Sequence, residues 1–105
     1  MRNGEITPIN GSWSEEEHAW VSELWCLTGD CWLEVKLPDK GRVLVRKAES
    51  KDGAFPKAFC SEWVGPEFRL RFYGSTKYRY VRIYLTDVPI QIQFANTNGY
   101  AVRQP

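Results

Sequence analysis

The sequence predicts an all-β fold, a single antiparallel β-sandwich of jelly-roll-like kind with about seven strands. Three observations predict it. From Glu67 to Phe94 apolar and polar residues alternate with the strand period, as they do again from Cys31 to Leu37. Turn residues recur along the chain, at Asn10-Gly11, Thr28-Gly29-Asp30, Asp39-Lys40-Gly41, Gly65-Pro66, Gly74-Ser75 and Thr86-Asp87. Composition agrees: 43% hydrophobic and 26% charged residues place the chain among globular proteins, and five Trp, five Tyr and five Phe favour strands.

In chain order, residues 1–12 are polar and contain Pro8, so they read as an extended arm that ends at Trp13. Ser14 and Glu17 have capping-box spacing. They predict a short turn or helix, followed by a strand over 18–27 with Trp20, Ser22, Leu24 and Cys26 on one face. In the next strand Leu33, Val35 and Leu37 face inward and Trp32, Glu34 and Lys36 outward. A three-residue loop with Gly41 at positive φ would then form a hairpin. It sets Leu37 opposite Val43, Val35 opposite Val45 and Glu34 opposite Arg46. The irregular stretch 49–59, with Phe55 and Phe59, is expected to cross between sheets, and Cys60–Val64 to form a short strand.

The segment 67–94 reads as a three-strand meander. An even-numbered turn at 74–77 keeps Phe68, Leu70, Val81 and Ile83 on one face. It gathers Arg69, Arg71, Tyr73, Tyr78, Tyr80 and Arg82 on the other. The expected core is Leu33, Val35, Val45, Phe68, Leu70, Val81, Ile83, Leu85, Ile90, Ile92 and Phe94. Residues 96–105 form a second polar arm, and the whole of 1–105 reads as one domain.

The formal net charge of +1 disfavours a general nucleic-acid binder. The charge is nevertheless segregated: residues 1–34 hold one base, Arg2, against seven acids, and residues 35–105 hold 13 bases against 6 acids. Such a chain suits docking by a basic face onto a partner, or association with itself. No apolar run approaches the ~18 residues that span a bilayer, and MRNGEITPIN lacks the apolar stretch of a signal peptide. With an odd cysteine count of three, this leads us to expect a cytoplasmic protein, or one assembled into a particle, with free thiols.

Catalytic and metal motifs are weak. The single histidine, His18, has no nucleophile motif beside it. Cys26 and Cys31, with Cys60 and His18, are too widely spaced for a zinc knuckle. The acidic run Glu15–Glu17 lacks calcium-loop spacing, and the glycines are scattered turn residues rather than a phosphate loop. The expectation is therefore a non-enzymatic protein with no catalytic residue, no metal and no cofactor.

The leading function is a structural or interaction protein, a small subunit or accessory of a larger assembly, with a virion component as a specific version. It would dock through Arg69, Arg71, Tyr73, Tyr78, Tyr80 and Arg82 and through its arms, since Arg and Tyr are enriched at binding hot spots. The alternative is a carbohydrate-binding module that stacks sugars on Trp32, Trp63, Tyr78 and Tyr80. A weaker third reading is a single-strand nucleic-acid binder, with bases on Tyr73, Tyr78 and Tyr80 and phosphates on Arg69, Arg71, Lys77 and Arg82.

Overall fold

The computed structural model describes residues 6–50, 52, 57–73, 77–95 and 102–103. The expected turn at Gly74–Thr76, most of the link 51–56 with Phe55, residues 1–5 of the first arm and most of the second arm lie outside the described residues, as do the side chains of Phe59 and Cys60.

Eleven strands run through the described residues. They are β1 (Ile6–Pro8), β2 (Gly11–Ser14), β3 (Ala19–Ser22), β4 (Trp25–Leu27), β5 (Cys31–Lys36) and β6 (Gly41–Ala48). The others are β7 (Lys57–Val64), β8 (Glu67–Phe72), β9 (Tyr80–Leu85), β10 (Gln91–Ala95) and β11 (Val102–Arg103). The expected count of about seven is exceeded. Parts of both arms pair as the short strands β1, β2 and β11, and one expected strand divides into β3 and β4.

All the strands pair antiparallel, in two sheets. A four-stranded sheet has the order β1-β10-β5-β8. In a seven-stranded sheet β7 pairs β6 and β6 pairs β9; β3 and β4 lie end to end along the far edge of β9, with β2 and β11 outside them. Taking β3 with β4 as one strand and setting β2 and β11 aside leaves eight. Each pairs with the strand equally far from the β6–β7 hairpin: β5 with β8, β3 and β4 with β9, and β1 with β10. One long hairpin is thus rolled into two layers, which is the jelly-roll order. The shortest dimension, 20 Å, fits two sheets ~10 Å apart with outward side chains.

This topology corrects all three local hairpins read from the sequence. Strands β8, β9 and β10 form no meander: β8 lies beside β5, β9 lies in the other sheet, and β10 separates β5 from β1. Likewise β5 and β6 do not pair. Val35 stands opposite Ile92 and Phe68, Val45 opposite Ile83 and Cys60, and Glu34 opposite Gln93 and Arg69. The link after Ala48 returns to the same sheet instead of crossing, because β7 pairs β6. Gly41 serves close packing rather than a left-handed turn. A Cβ there would stand 2.5 Å from the Thr86 hydroxyl, which accepts a hydrogen bond from the Arg42 N–H at 2.9 Å.

Strand alternation puts Leu33, Val35, Phe72, Ile92 and Phe94 of one sheet against Trp20, Val43, Val45, Val81, Ile83 and Leu85 of the other, all buried. Trp25 crosses the layers and meets Phe94 edge-on, with centroids 5.4 Å apart. Such a pair adds about 0.5–1.5 kcal/mol beyond burial. Phe68 and Leu70 pack at the margin of this core. Ile90 is an exception to the expected core: it precedes β10 and is 63% exposed.

The break between β3 and β4 divides the strand expected over 18–27. The turn over 15–18 is capped as expected, with the Glu17 N–H donating to Ser14 Oγ at 3.2 Å. His18 closes it at φ 51°. Glu23 and Leu24 then interrupt the ladder and shift its phase. Trp20 and Ser22 face inward before the break, and after it Trp25, opposite the inward Val81, takes the inner position instead of Leu24 or Cys26. Ser22 bridges the gap: its hydroxyl accepts from the Ile83 N–H at 2.9 Å and donates to the Glu23 carbonyl at 2.8 Å.

Candidate binding faces

Because β8 and β9 lie in different sheets, the six residues expected on one face are divided between opposite sides of the sandwich. Arg69 and Arg71 are on the outer face of the four-stranded sheet. Tyr73 follows β8 and is exposed, with the Arg71 guanidinium 5.4 Å from its ring. Tyr80 and Arg82 are on the outer face of the seven-stranded sheet. Tyr78 just precedes β9, with the Lys77 ammonium 5.4 Å from its ring.

The outer face of the four-stranded sheet is a polar lattice built by register. One row runs Ala95, Trp32, Arg71, the next Gln93, Glu34, Arg69, and the third Gln91, Lys36, Glu67. Arg69 Nε donates to Glu34 Oε2 at 2.8 Å, and Gln93 Nε2 donates to Glu34 Oε1 at 2.8 Å. Gln91 Nε2 donates in turn to Gln93 Oε1 at 2.8 Å. The Arg69 and Arg71 guanidinium carbons lie 4.2 and 5.3 Å from the Trp32 ring centroid. Arg71 also reaches Asp30 at 3.7 Å. These ion pairs are half-exposed, so each contributes at most ~1 kcal/mol. They hold the side chains in place more than they stabilise the fold. A groove of about 370 Å³ opens among Glu34, Lys36, Glu67, Arg69, Gln91 and Gln93.

The outer face of the seven-stranded sheet has a different chemistry. One row crosses it through Ser12, Val21, Tyr84, Leu44 and Ser61. Beside it Arg42 stands opposite Trp63, and Arg46 opposite Arg82. Arg42 donates through Nε and Nη2 to Ser61 Oγ at 3.1 and 2.6 Å. The Arg46 guanidinium lies 5.7 Å from the Tyr84 ring. Burial pushes the Tyr84 hydroxyl pKa up; Glu17 adds to the rise, and Arg82 and Arg46 oppose it. Trp63 is 69% exposed. A trough of about 550 Å³ runs along Ser12, Glu17, Val21, Glu23, Arg82 and Tyr84. The acids of the N-terminal segment therefore flank one side of this face and the arginines of β6 and β9 the other.

Arg42, Leu44, Arg46 and Tyr84 belong to this face and were not among the candidates. Their outward alternation with Val43, Val45 and Leu85 is visible in the sequence; the pairing of β6 with β9 that joins them is not. Cys26 and Cys31 are buried free thiols on different sheets. Among the described residues no three His, Cys, Asp or Glu side chains are grouped to hold a metal ion, and no helix is long and apolar enough to cross a membrane. No family model, no curated protein and no solved structure matches this chain.

Proposed function

We propose that the protein is a non-enzymatic docking module, a small subunit or accessory of a larger assembly, which engages another protein through the outer face of its seven-stranded sheet. The observation that carries this reading is the register that sets Trp63, Arg42, Leu44, Tyr84, Arg46 and Arg82 side by side. Trp, Tyr and Arg are the residues enriched at interface hot spots, and this face carries no lysine among them. Arg46 opposite Arg82 concentrates positive charge at its middle, while Glu17 and Glu23 flank the trough. A partner of matching bipolar charge fits such a surface best. Arg69 and Arg71 of β8, with Tyr73 just after it, fall outside this proposal, because β8 lies in the other sheet.

The test is recovery of the protein with its partner from the native source, followed by mass spectrometry, for the wild type and for Arg42→Ala with Trp63→Ala. Both side chains are exposed, so the double variant should fold normally. It is expected to lose the co-purifying protein. Retention of the same partner at the same yield would remove the proposal. Light scattering of the purified chain separates a different protein from a second copy as the partner.

A further inference from the structure

We infer that the groove on the outer face of the four-stranded sheet is a binding site for an uncharged carbohydrate. This site is separate from the docking face, since the two lie on opposite sides of the sandwich. Its charges cancel: Lys36 and Arg69 line it together with Glu34 and Glu67. Arg69 is already engaged by Glu34 at 2.8 Å. A phosphorylated or otherwise anionic ligand would bring its charge against two carboxylates, with one guanidinium already neutralised. A neutral ligand meets no such opposition.

The hydrogen-bonding groups are both donors and acceptors, and they are interleaved. Gln91 donates to Gln93, Gln93 donates to Glu34, and Arg69 donates to Glu34 from the other side. By valence, each amide in that chain keeps a second N–H, Arg69 keeps its terminal N–H groups, and the Gln91 carbonyl and the Glu34 oxygens keep lone pairs. A sugar hydroxyl donates and accepts at once, and adjacent ring hydroxyls present that pattern at fixed spacing. The chain holds these groups in place before a ligand arrives, which lowers the cost of ordering them on binding. The Phe68 side chain packs inward against the core, and Arg69 and Arg71 cover the Trp32 ring, so the groove meets a ligand mainly with polar groups. The volume of about 370 Å³ is within the ~300–1,000 Å³ range of small-ligand clefts.

The experiment is affinity electrophoresis of the whole chain through gels containing soluble unsubstituted glucan, mannan, galactan or xylan, with heparin and single-stranded DNA as polyanionic probes. At least one neutral polysaccharide should retard the protein, and added salt should leave that retardation in place. Gln91→Ala and Gln93→Ala should each weaken it about tenfold, since each removes hydrogen bonds to the ligand. Gln91 is exposed, so its replacement leaves the core untouched, and circular dichroism checks that the fold is retained. The Arg42→Ala with Trp63→Ala chain should bind the polysaccharide as the wild type does, which keeps this test apart from that of the docking face. Any of three results would overturn the inference: no neutral polysaccharide retards the protein, retardation is confined to the polyanions and lost with salt, or both glutamine variants bind unchanged.

Discussion

Cys31 faces the core from β5 and is 1% exposed. Burial, aided by Asp30 and opposed by Arg71 and Lys47, pushes its thiol from 9.0 up to about 12. Two results are expected. Iodoacetamide at neutral pH should leave Cys31 unmodified in the native protein and alkylate it once the chain is unfolded. In addition, the folded thiol keeps its proton to a higher pH than the unfolded one. Its contribution to stability is therefore complete below about pH 9 and is lost as the pH climbs toward 12, with a slope of at most ~1.4 kcal/mol per pH unit. Tyr84, raised mainly by burial, acts in the same direction at higher pH. Urea titrations on either side of about pH 9 should show a smaller alkaline loss for Cys31→Ala than for the wild type; equal losses would contradict this account. His18 supplies a second prediction. A non-glycine residue at φ 51° is strained, so His18→Gly should raise stability by up to ~1 kcal/mol and His18→Val should lower it.

At the scale of elements, the joint between β3 and β4 depends on one hydroxyl. Ser22 Oγ takes the Ile83 N–H where the ladder is interrupted. Ser22→Ala leaves that buried donor without its acceptor and should cost about 1–3 kcal/mol in chemical denaturation; a cost near zero would mean that β9 re-pairs across the gap. The strands themselves were legible in the sequence. The alternation of Leu33 and Val35 with Trp32 and Glu34, and of Val81 and Ile83 with Tyr80 and Arg82, gives the correct inner and outer faces. The partners of those strands were not legible. Alternation specifies a face and is indifferent to which neighbour shares it. The rule that consecutive strands pair therefore led to three hairpins that do not form. In a rolled hairpin most chain neighbours face each other across the core instead. Hence Arg71 was expected on one face with Tyr78 and Tyr80 and is instead opposite Trp32. Ile90 was misread because the alternation of β10 was extended one step into the loop before it.

For the whole molecule, the rolled order makes nearly every strand pairing non-local. β1 pairs β10, and β3 and β4 pair β9, across most of the chain length. Folding measured by stopped-flow fluorescence of the tryptophans should accordingly fall in the millisecond-to-second range. The same winding lays the acid-rich N-terminal segment beside the arginines of β6 and β9 in one sheet, which converts a charge asymmetry along the sequence into one across a surface. The central claim is that this surface, and not a continuous arginine and tyrosine ladder, contacts the protein partner. Calorimetry of that partner against Tyr80→Ala and Arg71→Ala, made separately, tests it most directly. Gathered on one face of the expected meander, these two residues lie on opposite faces of the sandwich. Tyr80→Ala should weaken binding by about 2 kcal/mol and Arg71→Ala should leave it unchanged; equal losses from both, or a loss from Arg71→Ala alone, would contradict the account.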